Sequence, residues 1–371
     1  MTGPSMQAYL EAKRTVDDRA LNRRVLDQFV AALTARNGPV SVVELGAGVG
    51  TMLVRLATWG CLPERVSYRL VDRDAESITR ARDLVPDELE NAGYTVRWRD
   101  DRAAESATLV ATRDSTGEFT GGNCRERDET PGPLEYTDAV PATATTSATA
   151  SASATTTPTT LTITFTTADA FEIEAQADAV IAAAFLDLID VPAALESIET
   201  LLEPGGVLYA PITFDGGTGF VPTDPLDRDI ERCYHHHMDE IRDGGSSRAG
   251  RELLTTLRRR DWETLATGGS NWVVRPACGD HSGADEAGSP GSPGSHTTHY
   301  PASEQLVLEH ILHTIDDALT AVPAVMTPFS TAEQEQWHDQ RRTALESGMF
   351  GFVAHNLDVL ARCGPTVSGQ S

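Results

Sequence analysis

Lysine is almost absent from this sequence. Lys13 is the only one, so arginine supplies nearly all of the 30 basic residues, against 55 acidic residues and a formal net charge of −25. The acidity runs along the whole chain and forms no single acidic tail. Acidic surfaces with little lysine are typical of proteins from salt-accumulating halophiles, and we expect that origin here; the alternative is a charge that repels nucleic acid and anionic membranes. In about 1 M salt, charges are screened within roughly 3 Å, so net charge alone does not select a partner.

Paired cysteines and long apolar runs are also missing. The longest apolar run, Ala177–Ile189, is broken by Asp178 and Asp187 and is too short and too charged to span a membrane. Residues 1–24 lack the apolar core of a secretory signal. The cysteines form no CxxC pair, so their spacing predicts neither a zinc site nor a disulfide framework; they are Cys61, Cys124, Cys233, Cys278 and Cys363. We therefore expect a cytoplasmic protein with no membrane partner.

Hydrophobic periodicity predicts an α/β domain. Residues 1–40 are predicted as an N-terminal helical segment, because apolar residues recur there at helical spacing. Strands and helices then alternate, which predicts a parallel sheet. The predicted strands are 41–45, 67–71, 95–98, 107–111, 161–167, 179–184, 207–212, 263–266 and 271–274. The predicted helices are 75–89, 191–202, 226–241, 248–259, 303–322 and 331–347.

Two low-complexity segments interrupt this pattern. Residues 113–160 are predicted to be a disordered insertion, because 141–160 contain only Ala, Thr, Ser and Pro and cannot build a core. Residues 276–300 are rich in Gly, Ser and Pro and are predicted to be a linker. The main domain is then 41–275, followed by helices over 301–348 and a final strand region over 349–363.

A glycine-rich turn follows the first predicted strand, with the pattern Glu44-x-Gly46-x-Gly48-x-Gly50. Such a turn between a parallel strand and a helix lets a ligand approach the backbone closely. Dinucleotide-binding turns have the pattern GxGxxG, which would require glycine where Thr51 stands. The alternative is a turn with no ligand.

An acidic residue ends the second predicted strand. Asp72 lies 22 residues beyond Gly50, where a carboxylate can accept hydrogen bonds from both hydroxyls of a ribose. NAD-binding folds share this spacing, so Asp72 indicates an adenosine ligand without choosing between cofactors. The alternative is that Asp72 caps the helix beginning near Ala75.

With Thr167-Ala168-Asp169-Ala170-Phe171 and Leu201-Leu202-Glu203-Pro204-Gly205-Gly206, these residues resemble the class I S-adenosylmethionine-dependent methyltransferase family over about residues 41–275. Ala168 departs from the glycine that the family has at this point. The resemblance implies a doubly wound, seven-stranded, mostly parallel sheet with helices on both faces. It also implies that residues 301–348 form a helical lid over the acceptor.

The resemblance implies S-adenosylmethionine as the cofactor and assigns residues to its parts. Glu44 would orient the amino group, the glycine turn would contact the methionyl part and the ribose, and Asp169 would bind the adenine amino group. The full set of expected cofactor-binding residues is Glu44, Gly46, Ala47, Gly48, Gly50, Asp72, Arg73, Asp169, Ala170 and Phe171.

The predicted strand 179–184, which is strand 4 of the family's sheet, and the residues after it bear on the kind of acceptor. The sequence Ala182-Ala183-Ala184-Phe185-Leu186-Asp187 lacks the [DNS]-P-P-[YFW] motif with which amino-methylating nucleic-acid enzymes stack a flipped base, and no cysteine follows a proline. We expect a small-molecule acceptor and no nucleic acid; the oligomeric state is not predicted. Asp187 is the first ionisable side chain beyond strand 4 and is the candidate catalytic base or acceptor-orienting residue. The alternative is a helix-capping aspartate.

Histidines and aromatic residues supply the remaining candidates. His235, His236 and His237 point in three directions on a helix, so they cannot share a metal, and the first two are predicted to be solvated. His310 and His313 have helical metal-ligand spacing but no third ligand, so no metal is predicted. The candidate acceptor-pocket residues are Tyr234, His237, Trp272 and His355, each with core packing as the alternative.

The sequence therefore predicts in-line methyl transfer from S-adenosylmethionine to a small molecule. One alternative is aminopropyl transfer on the same fold, which would require a carboxylate cluster after strand 4, where only Asp187 and Asp190 stand. Another is a non-catalytic S-adenosylmethionine-binding regulatory protein.

Overall fold

One large sheet runs through the structure, a computed structural model that describes residues 4–114, 158–278 and 298–364. Its strands are β1 (Val40–Leu45), β2 (Arg65–Asp72), β3 (Thr95–Trp98), β4 (Ser106–Arg113), β5 (Thr159–Thr167), β6 (Ala177–Ile181), β7 (Leu202–Val221), β8 (Glu263–Gly269), β9 (Trp272–Val274) and β12 (Gly351–Arg362). A separate two-stranded pair, β10 (Ala277–Cys278) and β11 (Thr298–His299), joins the two ends of the predicted linker.

The strand order in the large sheet is β3-β4-β5-β2-β1-β6-β7-β12-β8, with β9 also paired to β12. Strands β5, β2, β1, β6 and β7 are parallel neighbours. Only β4 and β12 run against the other described strands, since each pairs antiparallel with its neighbours. The predicted mostly parallel α/β sheet is confirmed. The count of seven strands was wrong: the sheet has ten, because the β3–β4 hairpin extends one edge and β9 adds to β12.

Helices cover both faces of the sheet, as predicted. They are α1 (Met6–Ala12), α2 (Arg14–Ala20), α3 (Arg23–Thr34), α4 (Thr51–Thr58), α5 (Ala75–Asn91), α6 (Val191–Leu201), α7 (Asp227–His236), α8 (Ala249–Arg259), α9 (Glu304–Ala321) and α10 (Thr331–Glu346). One hydrophobic core joins α3, α4 and α5 to one face, and a second joins α6 and α8 to the other. The N-terminal segment consists of three short helices.

Two strands extend well beyond the others and carry a third core. β7 has 20 residues and β12 has 12, and they remain paired as far as Val221 and Gly351. Helices α1, α7, α9 and α10 pack on this extension through apolar residues. The expected C-terminal helices therefore form, and they lie against the first helix of the chain.

Several predicted boundaries move. β4 and β5 pair as far as Arg113 and Thr159, so these residues belong to the sheet and not to the predicted insertion of 113–160. The tract 115–157 lies outside the described residues, as do 279–297 of the predicted linker. Residues 203–206, part of the segment that resembles the family, lie between two ladder pairs of β7, Leu202 with Ala177 and Val207 with Ala179.

Two further predictions from the sequence concern cysteine pairing and membrane-spanning segments. Cys61, buried behind α4, is disulfide-bonded, which the scattered spacing did not predict, whereas Cys233 and Cys363 are free thiols. Among the described residues, no helix is long and apolar enough to cross a membrane.

Candidate active site

The glycine turn after β1 needs its glycines for backbone conformation. Gly46, Gly48 and Gly50 have φ angles of +63°, +54° and +81°, in the left-handed region that favours glycine. The space beside them is taken by side chains of this chain. A Cβ at Gly48 would lie 2.9 Å from Leu10, and one at Gly46 would overlap the ring of Phe185. Internal packing therefore requires glycine at positions 46 and 48, because a side chain there would collide with Phe185 or Leu10.

Asp72 joins the end of β2 to this turn. Its Oδ2 accepts a 2.7 Å hydrogen bond from the backbone N–H of Gly48, and its Oδ1 accepts one of 2.9 Å from the N–H of Asp74. The capping alternative was wrong, because Asp74 caps α5 by accepting from the N–H groups of Glu76 and Ser77. Asp72 is half-buried, and its carboxylate oxygens have further lone pairs for hydroxyl donors.

Glu44 lies deeper than the resemblance implied. Its carboxylate is 2 % exposed and accepts a 2.6 Å hydrogen bond from the hydroxyl of Tyr68. Burial raises the pKa of Glu44 to about 7, although the Tyr68 hydroxyl and the charge of Arg55 lower it. Glu44 is thus a buried acid that titrates near neutral pH.

The segment after β5 lies at the same edge of the sheet and is open to solvent. Asp169 is exposed and accepts a 2.9 Å hydrogen bond from the N–H of Phe171, while Ala170 is buried. Phe171 is 41 % exposed, an unusual position for a large aromatic ring. Arg73 is also exposed at this edge, whereas Ala47 is buried and donates its N–H to the carbonyl of Val71.

Asp187 lies in a 3₁₀ turn, Leu186–Leu188, just after β6. Its Oδ1 is buried and has no hydrogen-bond partner, and burial raises the pKa of the carboxyl above its usual range. The guanidinium of Arg242 donates instead to the Asp187 carbonyl, at 2.6 Å. The capping alternative was wrong, because Asp190 caps α6 by accepting from the N–H of Ala193 at 2.8 Å.

Helices α1 and α7 each place a tyrosine near Asp187, and α9 packs on the first of these. The rings of Tyr9, on α1, and His310, on α9, stack with centroids 3.9 Å apart and an interplanar angle of 19°. Burial and then the negative charge of Asp187 raise the pKa of Tyr234, on α7, to about 12 despite the opposing charge of Arg242. His310 Nδ1 is buried without a partner. Sequence reasoning missed Tyr9 and treated His310 only as a metal ligand, since no local signal shows that α1 meets α9.

The single lysine is also at this site. Lys13 Nζ donates to Asp17 at 2.7 Å, and both side chains are buried. The ammonium lies 5.6 Å from the ring centre of Trp272, whose indole N–H is buried without a partner.

The four expected acceptor-pocket residues do not converge. Trp272 pairs with Ala354 in the β9–β12 ladder and packs with the third core, so the alternation of strand side chains places His355 on the opposite face. There His355 Nδ1 lies 2.7 Å from Asn271 Oδ1, and its Nε2 lies 3.8 Å from Asp215. The prediction that Trp272 and His355 line one pocket was therefore wrong.

The histidines of α7 also differ from the expectation. His235, predicted to be solvated, is half-buried, with its ring 5.6 Å from that of Phe214 and its Nε2 3.2 Å from Thr218 Oγ1. His237 is half-buried, and in the described parts of the chain its ring makes no hydrogen bond or ring contact. Tyr234 is the one of these pocket candidates that stands beside Asp187.

No group of three His, Cys, Asp or Glu side chains within residues 4–114, 158–278 and 298–364 could hold a metal ion.

The sheet has a topological switch point between β1 and β6. These strands are neighbours, but the helices that follow them, α4 and α6, pack on opposite faces. In open α/β sheets, ligands bind at this switch point, beyond the carboxyl ends of the strands. Here the glycine turn bonded to Asp72 follows β1, and Asp187 follows β6. Asp72 can accept hydrogen bonds from hydroxyl groups of a ligand, and Asp187 Oδ1, which has no partner among the described residues, can accept one more.

The sequence matches no protein-family model and no curated protein. Similar solved structures include the YcgJ protein of Bacillus subtilis, at 10% identity over 92% of this chain and 99% of that one, with a TM-score of 0.39. The [4+2]-cyclase SpnF is 13% identical over 92% and 82%, with a TM-score of 0.36. Geranyl diphosphate C-methyltransferase of Streptomyces coelicolor is 9% identical over 91% and 74%, with a TM-score of 0.34. Likeness this weak says nothing about what this chain binds or does.

Proposed function

We propose that this chain binds S-adenosylmethionine at the switch point between β1 and β6 and transfers its methyl group to a small-molecule acceptor. The observation that carries the proposal is the hydrogen bond from the Gly48 N–H to Asp72 at the end of β2, together with Asp187 after β6, whose Oδ1 has no hydrogen-bond partner among the described residues. The strand order supports it. The reversed β12 stands between β7 and β8, whereas the dinucleotide-binding order is six parallel strands.

The residues present fit this cofactor. Asp72 offers carboxylate oxygens to the ribose hydroxyls, and Phe171 offers an exposed aromatic ring to the adenine. Glu44 is a buried acid with a pKa of about 7. A nearby ammonium group would favour the charged form of its carboxylate. Leu10 and Phe185, packed on the glycine turn, supply apolar walls.

The cofactor, when bound, would supply a methyl group on a sulfonium. The acceptor nucleophile would bond to that methyl carbon in line as the carbon–sulfur bond breaks and S-adenosylhomocysteine leaves. The protein's own task is to align the acceptor and keep water out. The ring of Tyr9 on α1, stacked on His310 of α9, lies near Asp187, and among the described residues Asp187 Oδ1 has no hydrogen-bond partner, so it can accept a proton or hydrogen bond from the acceptor. A raised pKa brings this carboxylate closer to the range useful for a general base at neutral pH.

Aminopropyl transfer fits less well. It requires a cluster of carboxylates after β6 to bind a polyamine, and Asp190 is engaged as the cap of α6. Asp187, which is half-buried, is then the one of the two acids that is not used as a helix cap.

Native mass spectrometry of the purified full chain tests the proposal. We expect a fraction of the protein to carry S-adenosylmethionine or S-adenosylhomocysteine, and the Asp72→Ala variant, purified in parallel, to carry less. A co-purified nicotinamide dinucleotide would contradict the proposal. For a ligand-free preparation, addition of S-adenosylhomocysteine should produce a single bound species.

A further inference from the structure

Strand β7 bulges away from its partner beside His355. Residues 215–217 of β7 stand opposite His355 alone in the β7–β12 ladder. Gly216 and Gly217 have φ angles of +73° and +87°, a left-handed conformation that glycine adopts readily. Bulges of this kind bend a strand outward and are over-represented next to functional sites.

The bulge opens onto a cavity of about 480 Å³ between α7, α8 and β12. Its lining is basic, although the chain carries a net charge of −25. The basic residues that line it are Arg228, Arg232, Arg248, Arg251, His235 and His355. This cavity is on the His355 side of the sheet extension, away from Trp272.

Two of the arginines are already neutralised. Arg251 makes a bidentate pair with Asp215, with Nε–Oδ1 and Nη2–Oδ2 distances of 2.9 and 3.0 Å. Arg232 pairs with Asp229. Arg251 and Arg232 therefore contribute to the shape of the cavity more than to its net charge.

The other two arginines are free to bind a ligand. Across the described ranges, neither the Arg228 nor the Arg248 guanidinium has an ion pair or hydrogen bond. The one acid in the lining, Glu231, already accepts the N–H of Thr218 at 2.7 Å. Two unpaired guanidiniums against one carboxylate leave the cavity positive.

We propose that this cavity binds the phosphate group of a small molecule. Guanidinium forks match the oxygens of phosphate and hold it more strongly than neutral donors do. The overall negative charge of the chain opposes phosphate presented by a nucleic acid or a membrane, so a free small molecule is the expected source. The site does not depend on the proposed cofactor.

Titration with inorganic phosphate in a low-salt chloride buffer tests this site, followed by NMR of the histidine ring C–H groups. We expect saturable shifts at His235 and His355 and none at His313 on α9. The double variant Arg228→Gln, Arg248→Gln should weaken binding by about tenfold or more. Arg258→Gln, a change at an exposed arginine of α8 outside the cavity, is the matched control and should bind as the wild type does.

Three results would overturn the inference. One is the absence of shifts at His235 and His355 at millimolar phosphate, with the fold intact by circular dichroism. Another is equal affinity in the double variant and the wild type. Finally, tighter binding to a short DNA duplex or to anionic phospholipid vesicles than to phosphate would assign the arginines to a polymer or membrane surface. The outcome is independent of S-adenosylmethionine binding, so each proposal can fail alone.

Discussion

The ring of Tyr9 stacks on the ring of His310, with centroids 3.9 Å apart, and so joins the first helix of the chain to the ninth. Burial, the charge of Asp17 and Tyr234 raise the pKa of Tyr9 most, and the charge of Asp187 adds a smaller effect. The N-terminal helix therefore lies near Asp187.

Asp187→Asn should separate catalysis from folding. We expect turnover to fall by roughly 10²–10⁴, as for loss of a general base, with cofactor affinity changed less than about threefold. Because burial raises the folded pKa of Asp187, its carboxylate destabilises the fold as pH rises above its unfolded value, near 4. The variant should therefore melt higher than wild type at pH 7, and the gap should close toward pH 4.

Asp190→Asn is the matched control for that experiment. Asparagine caps helices as well as aspartate does, so this change should be nearly silent in both turnover and melting temperature. A large loss of cofactor affinity in Asp187→Asn would move Asp187 to the cofactor site.

We expect Asp72 to contribute to cofactor binding and the neighbouring Asp74 to contribute to the stability of α5. Asp72→Ala removes the proposed acceptor of the ribose hydroxyls and should weaken S-adenosylhomocysteine binding by about ten- to a hundredfold. Asp74→Ala removes the cap of α5 and should cost about 1 kcal/mol of stability with little change in affinity. Calorimetry and thermal melts on the two variants provide the comparison, and unchanged affinity in Asp72→Ala would remove Asp72 from the site.

Glu44 should make stability depend on pH. Its folded pKa, raised to about 7, exceeds its unfolded value near 4.3, so the folded chain binds the extra proton and loses stability as pH rises between these values. Relative to Glu44→Gln, the wild type should lose up to roughly 3.5–4 kcal/mol across that window. Tyr68→Phe, which removes the hydrogen bond to the carboxylate, should raise the folded pKa further. A pH-independent difference between wild type and Glu44→Gln would show that Glu44 stays charged.

The buried Lys13–Asp17 pair should be sensitive to loss of one partner. Lys13→Met leaves the carboxylate of Asp17 buried without its cation and should cost about 3–5 kcal/mol. The double variant Lys13→Met, Asp17→Leu should be more stable than Lys13→Met alone, and Lys13→Arg, which keeps the charge, should lose less. Urea melts measure all three, and a Lys13→Met variant as stable as wild type would mean that Asp17 relies on Arg55, whose Nη2 is 3.9 Å away.

The strands at the centre of the sheet could be predicted from sequence because their burial leaves a regular apolar pattern. β1 and β6 are buried nearly throughout and read as apolar runs, whereas in β2 and β5 buried apolar residues alternate with more exposed ones. Each of the four lies within a few residues of its predicted bounds. β12 lies within the final strand region predicted over 349–363, although polar residues interrupt its second half. In the structure Asn356 and Asp358 are buried: Asp358 accepts the N–H groups of Ile212 and Asn22, both at 2.8 Å.

Residues of the candidate site could be predicted only where local strand and turn patterns determine their position. The glycine turn, Asp72 and Asp187 stand at strand ends, and strand ends of a parallel sheet share one edge, so these positions followed from the strand pattern. The helical capping alternatives for Asp72 and Asp187 were wrong because a better-placed aspartate stands two or three residues later in each case, Asp74 and Asp190. The Tyr9–His310 stack and the separation of Trp272 from His355 depend on tertiary packing and ladder register, which no local pattern shows.

The central claim is that the switch point between β1 and β6 binds S-adenosylmethionine. Isothermal calorimetry of the full chain with S-adenosylhomocysteine and, separately, with NADH tests it most directly. We predict one site per chain for S-adenosylhomocysteine, about micromolar in affinity or −8 kcal/mol, and no heat of binding for NADH. Binding of NADH without binding of S-adenosylhomocysteine would contradict the account.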